Sequence, residues 1–277
     1  MPIEELKEKL MALYGEQSKH SHYQNVPEFV KKSIGYSEII NEEWRGDTAR
    51  YRYIVHEVEQ LKPGSICDIG ANTGFFSLSL ANKFPNLKIT AFEGNPVHVE
   101  FINLIKDAFS IGNVELKNRY VDYESIDNSG HYDLMLHLNV LHHAGVDFDT
   151  HLVNYNSFED YAVKYFEKLK TVTNTLVFQM GFHYGGNKTL PIIKVSDDVG
   201  KILFIRSIYK RVGWRLRSVA YINRNAQGEL EYRNAPKQII DAIEKNDTAT
   251  SELVEYITKL HLDAYSEFYR RPIFIFD

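Results

Sequence analysis

Short apolar runs alternate with helix-length stretches from about residue 64 to the end of the chain. Such alternation is typical of βαβ units around a parallel sheet. The intervening stretches, at 75–83, 96–109, 158–169 and 200–211, are long enough for right-handed crossover helices. The predicted strands are Ser65 to Ile69, Lys88 to Glu93, Val114 to Val121, Tyr132 to Leu138, Thr175 to Met180, Trp214 to Ile222 and Pro272 to Phe276.

The first 62 residues carry a different pattern. Apolar residues recur at helical spacing from Ile3 to Leu13, which predicts a short amphipathic helix. A polar stretch without a sustained period follows, and then a second helix with an apolar stripe from Tyr51 to Leu61, which Asp47 can cap. We therefore expect an N-terminal helical cap over residues 1–62 and one α/β domain over residues 63–277.

Composition narrows the class of protein. Hydrophobic residues at 44% and charged residues at 25% are ordinary for a soluble globular chain. The formal net charge of −5 argues against nucleic acid as the main partner, because phosphate binding usually leaves a basic surface. Cys67 is the single cysteine, so no internal disulfide forms. With no signal peptide and no run of membrane-spanning length, we expect a cytoplasmic protein without a membrane partner.

The strongest chemical signal is a buried-type strand that ends in an acid and enters a turn of small residues, Asp68-Ile69-Gly70-Ala71-Asn72-Thr73-Gly74. Glycines there let a ligand approach the backbone closely. The spacing is not that of a dinucleotide fold, which uses a third glycine and a free helix N-terminus. The Asp68 carboxylate would repel a pyrophosphate and attract the ammonium group of an amino-acid cofactor. An ordinary tight turn is the alternative.

A second strand also finishes in an acid. Glu93 lies about 20 residues after the glycine turn, at the position where a ribose diol is held. It is followed by Gly94, Asn95 and Pro96, and Asn95 can instead cap the next helix.

Together these motifs resemble the class I S-adenosylmethionine-dependent methyltransferases. The resemblance covers about residues 63–277 and implies a Rossmann-like, doubly wound, seven-stranded sheet with six parallel strands and an antiparallel last strand. It implies S-adenosylmethionine as the cofactor, held by Asp68, Gly70, Asn72, Gly74, Phe75, Glu93 and Gly94. It further implies that an acid after the third strand meets the adenine amino group, for which Asp122 is the better match and Asp127 the competitor.

The fourth predicted strand runs into Asn139, followed shortly by His142 and His143. In this architecture substrate and cofactor meet at that edge, so Asn139 is assigned to the cofactor and either histidine to the general base. A histidine there can instead pack or bond a backbone carbonyl. The acids and histidines between 142 and 151 also allow a metal site, but their spacing matches no standard motif, so no metal is predicted.

Substrate contacts are predicted from three places. Gln179 and His183 follow the fifth strand in a glycine-loosened stretch. Arg270 and Arg271 precede the last strand, where two guanidinium groups suit a phosphate or carboxylate, with a solvated charge pair as the alternative. Tyr23 and Arg45 complete the set from the cap.

Two narrower resemblances suggest different acceptors. The combination of residues 20–24, 93–95 and 139–143 with the terminal strand is similar to methyltransferases of bacterial surface-glycan pathways. Residues 41–47 alone are similar to enzymes that carboxymethylate the wobble uridine of tRNA. We therefore expect O-methylation of a small, polar, anionic glycan or capsule precursor. A tRNA-modifying enzyme and a non-catalytic S-adenosylmethionine-binding protein are the alternatives, and a dehydrogenase is the weakest one.

Overall fold

The computed structural model describes residues 2–15, 24–35 and 46–277. The chain forms two compact units, Met1–Val121 and Asp122–Asp277, here called the first and second units. This division cuts across the domain boundary predicted at residue 62, which stays a prediction.

The first unit is a three-stranded parallel sheet with helices, in the strand order β3-β2-β1. Asp68 pairs in register with Ala91, and Glu93 with Asn118. Its strands are β1 (Ser65–Ile69), β2 (Lys88–Glu93) and β3 (Val114–Asn118). Its described helices are α1 (Ile3–Gly15), α2 (Glu28–Ile34), α3 (Asp47–Leu61), α4 (Phe75–Lys83) and α5 (Pro96–Ala108).

Local sequence explains where these helices begin. Asn95 caps α5 by accepting a hydrogen bond from the Val97 backbone N–H at 3.0 Å, and Pro96 takes the first helical position. At α3 the predicted cap is wrong by one position, since Gly46 precedes the helix and Asp47 is its first residue. Asp47 instead pairs with Arg50 in the protein interior, so the buried face of α3 carries charge as well as apolar side chains.

The second unit contains a five-stranded mixed sheet in the order β4-β5-β8-β6-β7. Strands β4 and β5 are parallel, β8 runs antiparallel to both of its neighbours, and β7 pairs antiparallel with β6. The strands are β4 (Tyr132–Leu138), β5 (Thr173–Gln179), β6 (Leu216–Arg224), β7 (Leu230–Asn234) and β8 (Ile273–Phe276). The described helices are α6 (Phe158–Val172), α7 (Asp198–Arg211), α8 (Lys237–Lys245) and α9 (Ser251–Lys259).

The expected α/β class and strand-helix alternation are confirmed, but the expected number of strands is wrong. The described residues contain eight strands rather than seven, three in the first unit and five in the second. The added strand is β7, a short edge strand in which only Tyr232 is buried, so it lacks an apolar signal in sequence. Strand β3 ends at Asn118 rather than Val121, because the chain leaves the sheet at a turn.

In the described part of the chain, no helix is long and apolar enough to cross a membrane.

Candidate active site

Asp68 is a buried acid near the end of β1. Its side chain is 3% exposed, and its Oδ2 accepts a hydrogen bond from the Ser77 hydroxyl at 2.6 Å. Burial raises the pKa of Asp68 to about 6; the nearby Glu93 carboxylate also raises it, whereas the Ser77 bond and the Arg50 guanidinium lower it. The ionised form is therefore under-compensated inside the protein. A cationic group bound beside Asp68 would supply that compensation.

The turn after β1 bends through left-handed backbone. Gly70, Asn72 and Gly74 have φ angles of +70°, +53° and +78°. The backbone N–H groups of Gly70 and Ala71 both donate to the Phe92 carbonyl at 3.0 Å, which fixes the turn against β2. A Cβ at Gly74 would lie 2.8 Å from Ile102 Cγ1, so this position requires glycine for space as well as for conformation.

Glu93 ties the glycine turn to the start of α5. Its Oε2 accepts from the Asn72 backbone N–H at 2.7 Å, and its Oε1 accepts from the Asn95 N–H at 2.8 Å. A carboxylate offers about four lone-pair sites, so both oxygens keep capacity for the hydroxyls of a diol. Next to it, a Cβ at Gly94 would lie 2.4 Å from the ring of Tyr120, which is 51% exposed. Gly94 is therefore the residue that lets Tyr120 lie against this backbone.

Three residues of the first unit complete the site and were not predicted. Ser77 holds the Asp68 carboxylate. Gln24 accepts the Phe75 backbone N–H at 3.2 Å through Oε1, so it supplies a cap for α4. Thr73 is 3% exposed and its hydroxyl has no hydrogen-bond partner, which is unusual for a buried polar group. Of these three residues, only Thr73 could have been found from the sequence, because it lies inside the glycine turn.

The two acids proposed to follow the third strand have different surroundings. Asp122 Oδ1 accepts from the Ser125 backbone N–H at 2.9 Å, so it organises the turn that opens the second unit. Asp127 pairs with Lys168 at 2.8 Å on the surface. The preference for Asp122 over Asp127, and the contact with adenine, stay predictions.

In the second unit, a polar network joins the ends of β4 and β5 to the start of β8. Asn139, which has a φ of +61°, donates from Nδ2 to Gln179 Oε1 at 2.9 Å. Arg271 Nη1 donates to Asn139 Oδ1 at 3.0 Å, and Arg271 Nη2 donates to Glu267 Oε1 at 3.2 Å. His183 Nδ1 lies 3.1 Å from that same Glu267 oxygen. Because β8 runs antiparallel to β5, Arg271 at its start lies at this edge.

Two residues expected to contact substrate have partners inside the protein. Gln179 is fully buried, and its Nε2 donates to Tyr232 Oη at 3.2 Å and to the Arg271 carbonyl at 2.8 Å. Its amide is used inside the protein, so the geometry does not support a direct substrate contact. Arg270 is held by Asp198, with Nη2 to Oδ2 at 2.6 Å, and this aspartate also accepts from buried Lys201. Arg270 therefore belongs to an ion cluster with Asp198 and Lys201, and its contact with substrate stays a prediction.

The two adjacent histidines have unlike environments. His142 is 2% exposed, and its Nδ1 accepts the Gly181 backbone N–H at 3.2 Å. Burial, followed by the charges of His143 and Arg271, holds the pKa of His142 well below its ordinary value. His143 lies 4.2 Å away, centroid to centroid, and its Nδ1 is 2.9 Å from Asp147 Oδ2. Only His143 is therefore placed beside an acid.

The remaining predicted contacts, Tyr23 and Arg45, lie outside the described residues. Within the described residues, no three His, Cys, Asp or Glu side chains lie close enough together to hold a metal ion.

The first unit fits the cofactor that the motifs predicted. The buried Asp68 carboxylate suits an ammonium group, and the Thr73 hydroxyl offers a hydrogen bond that the protein leaves unused. Glu93 retains acceptor capacity at the end of the neighbouring strand. These are the groups that the amino-acid and ribose parts of S-adenosylmethionine require.

Sequence comparison finds short matches, and no family model matches the chain. The ribosomal RNA small subunit methyltransferase G of Staphylococcus saprophyticus subsp. saprophyticus is 35% identical over 72 residues, covering 26% of this chain and 30% of the relative. The cobalt-precorrin-6B C(15)-methyltransferase (decarboxylating) of Salmonella typhimurium is 32% identical over 60 residues, covering 22% of this chain and 31% of the relative. The chain thus spans about a third of the length of the curated relatives it matches.

Structural comparison matches more of the chain. A crystal structure of WbdD with the kinase inhibitor LY294002 superposes with a TM-score of 0.53 at 17% identity, over 81% of this chain and 46% of WbdD. WbdD is described as a bifunctional kinase-methyltransferase. The likeness shows a shared fold.

The resemblance seen in the sequence is therefore confirmed: the matched curated relatives are methyltransferases, and WbdD shares the fold. S-adenosylmethionine is the cofactor that these likenesses indicate.

Proposed function

We propose that the protein transfers a methyl group from S-adenosylmethionine to an oxygen of a small, polar, anionic acceptor, such as a surface-glycan or capsule precursor or its phosphate-type decoration. The observation that carries the proposal is the burial of the Asp68 carboxylate beside the glycine turn, where a bound ammonium group would compensate the ionised form.

The first unit supplies the cofactor site in this proposal. Asp68 binds the ammonium group, the turn from Gly70 to Gly74 lets the ligand reach the backbone, and Glu93 accepts from the ribose hydroxyls. When bound, the cofactor supplies a methyl group already activated by a sulfonium. The protein therefore contributes mainly placement, which can lower a barrier by about 7–11 kcal/mol.

The residues proposed for the acceptor belong to the second unit. A histidine takes the proton of the acceptor hydroxyl, a contribution typically of about 10² to 10⁴ in rate. Arg271 supports an anionic acceptor, because its guanidinium is only 12% exposed and its Nε has no hydrogen-bond partner. His183, linked to Arg271 through Glu267, is a further acceptor contact in the proposal.

Calorimetry with S-adenosylhomocysteine tests the cofactor step without an acceptor. The parent should bind, and Asp68→Asn should bind at least about tenfold more weakly, since a hydrogen bond to a charged group is worth about 1.5–3 kcal/mol. Asp107→Asn, which changes an exposed acid on α5, is the matched control and should bind like the parent. Equal binding by the parent and Asp68→Asn, or binding of a nicotinamide cofactor instead, would overturn the proposal.

Transfer of labelled methyl groups to candidate acceptors tests the substrate. Phosphorylated and nucleotide-linked sugars form one set, and bulk tRNA and ribosomal RNA form the other. Labelling confined to the sugars supports the proposal.

RNA is the second candidate acceptor, because several matched curated relatives are methyltransferases of ribosomal RNA. Methyl labelling of RNA in the same assay would show that RNA, rather than a glycan precursor, is the acceptor. Cofactor binding without transfer to either set would favour a non-catalytic S-adenosylmethionine-binding protein.

A further inference from the structure

The two histidines proposed as alternative bases are distinguished by their ring nitrogens. The His142 Nδ1 accepts a hydrogen bond from the Gly181 N–H. A neutral imidazole carries one proton, so the His142 proton must be on Nε2. In that tautomer Nε2 is a hydrogen-bond donor and has no lone pair with which to take a proton.

Gly181 makes this arrangement of His142 rigid. A Cβ at position 181 would lie 2.6 Å from His142 Nε2 and 3.1 Å from Arg271 Cζ. The imidazole is thus packed directly over the Gly181 backbone. Protonation of Nδ1 would set two N–H donors against each other, in a place where burial and neighbouring cations already disfavour charge on His142.

His143 has the opposite arrangement. Its Nδ1 lies 2.9 Å from Asp147 Oδ2, four residues along the chain, with the two side chains 14% and 24% exposed. An ionised carboxylate accepts only, so it favours the proton on His143 Nδ1 and makes Nε2 the unprotonated nitrogen of the ring. The His143 Nδ1 and Asp147 Oδ2 atoms are close enough for a hydrogen bond but are poorly aligned for one. Hydrogen bonds between catalytic residues commonly become well aligned only when substrate binds.

We propose that His143 is the general base, that Asp147 is the positioning residue that fixes its tautomer, and that His142 is a fixed Nε2–H donor. The assignment rests on the proposed function. As the acceptor oxygen forms its bond to the methyl carbon, the carbon–sulfur bond breaks and its electron pair stays on sulfur. His143 Nε2 takes the proton that the acceptor oxygen loses, and the imidazolium is stabilised by the Asp147 carboxylate.

Nitrogen-15 NMR of the full-length protein reads the tautomers directly and needs no acceptor. Long-range proton–nitrogen correlations at pH 8.5 should show His142 with its proton on Nε2 and His143 with its proton on Nδ1. His142→Gln and His143→Gln, each removing one set of signals, provide the assignments. A parent His143 with its proton on Nε2 would overturn the proposal, whatever any variant does.

Asp147→Asn supplies the second test. The asparagine amide can donate to His143 Nδ1, so the His143 proton should move to Nε2 while the His142 signals stay unchanged. Asp160→Asn, an exposed acid paired with Arg211, is the control and should change neither tautomer. The unchanged His142 signals also show that Asp147→Asn is folded. A His143 tautomer that is the same in Asp147→Asn as in the parent removes the role of Asp147.

The two proposals fail separately. Absence of S-adenosylhomocysteine binding with the expected tautomers overturns the proposed function and leaves the histidine–aspartate geometry standing. Binding of S-adenosylhomocysteine together with a His143 Nε2–H tautomer overturns the histidine assignment and leaves the proposed function standing.

Discussion

Buried charge at single residues separates the functional positions from the structural ones. Asp68 and Asp47 are both almost completely buried acids in the first unit. Asp47 pairs with Arg50 and accepts the Asn25 backbone N–H at 2.6 Å, so its charge is compensated within the protein. Asp68 has a hydroxyl as its hydrogen-bond donor, and its pKa rises to about 6. The contrast supports the proposed ligand-binding role of Asp68 and indicates a stabilising role for Asp47.

The raised pKa of Asp68 predicts a pH-dependent affinity. An ammonium group binds the carboxylate and not the carboxylic acid, so the affinity for S-adenosylhomocysteine should rise as the pH increases through about 6 and then level off. Calorimetry between pH 5 and pH 8 measures this. In Asp68→Asn the rise should be absent; a rise that persists in this variant would assign it to another group.

The same ionisation predicts an effect on stability. The pKa of Asp68 in the folded protein exceeds its ordinary value of 3.8. The protonated carboxyl therefore contributes fully to the free energy of unfolding below pH 3.8, and this contribution is lost as the pH rises through about 6. Asp68→Asn does not ionise, so it should gain on the parent over that range by at most about 3 kcal/mol. Urea unfolding at pH 4.5 and pH 8 measures the difference. If Asp68→Asn became less stable relative to the parent as the pH rises, Asp68 would not have the raised pKa.

Thr73 gives a third prediction for a single residue. Its buried hydroxyl has no partner in the protein, so Thr73→Val should leave the free energy of unfolding unchanged or raise it. The affinity for S-adenosylhomocysteine should fall about threefold to tenfold if the hydroxyl meets the ligand, a cost of about 0.5–1.5 kcal/mol. Thr73→Ser keeps the hydroxyl and should bind like the parent. Full affinity in Thr73→Val would mean that Thr73 does not contact the cofactor.

At the scale of secondary structure, the glycine turn depends on one position with no room for a side chain. Gly74 has a φ of +78°, and its Cβ would meet Ile102 on α5. Gly74→Ala should lower the free energy of unfolding by about 1–3 kcal/mol and also weaken S-adenosylhomocysteine binding, because the turn and α4 must shift. Gly112→Ala, where a Cβ meets nothing within 4 Å, is the control for thermal unfolding. Equal melting of the two variants would contradict this role.

The sequence predicted the elements whose apolar pattern is strong and missed those that depend on partners. Strands β1, β2 and β4 match their predicted bounds because each is a buried apolar run. The edge strand β7 is mostly polar and is formed by pairing with β6, which no local pattern reveals. The predicted apolar stripe of α3 includes the buried Ile54 and Val58, but the buried face also contains the paired Arg50, which no apolar pattern reveals.

The residues of the candidate site also divide into those that the sequence predicted and those that it missed. Asp68 and Glu93 were predicted because acids at the ends of buried strands are conspicuous in sequence. The internal partners of Gln179 were not foreseen, and Ser77 and Gln24 were missed, because these contacts are hydrogen bonds to distant residues. Asp147 was noticed only as a metal ligand, since its approach to His143 is a feature of the folded loop.

For the whole molecule, the net charge opposes RNA as the acceptor even though several sequence relatives methylate it. Binding that neutralises several phosphates needs a basic surface and weakens steeply with salt. This chain has 32 basic and 37 acidic residues, and its matches to the ribosomal RNA methyltransferases cover only about a quarter of its length. The shared stretch is therefore best explained by the common cofactor.

From the net charge we predict that the protein forms no specific complex with RNA. In a gel-shift titration at 50 mM and 200 mM salt, tRNA and ribosomal RNA fragments should show no saturable binding to the full-length protein, with or without S-adenosylhomocysteine. An RNA-binding methyltransferase assayed in parallel should lose affinity steeply between the two salt concentrations. Saturable, salt-dependent binding by this chain would mean that its basic residues are gathered on one face despite the acidic total, and the acceptor would then be sought among RNAs.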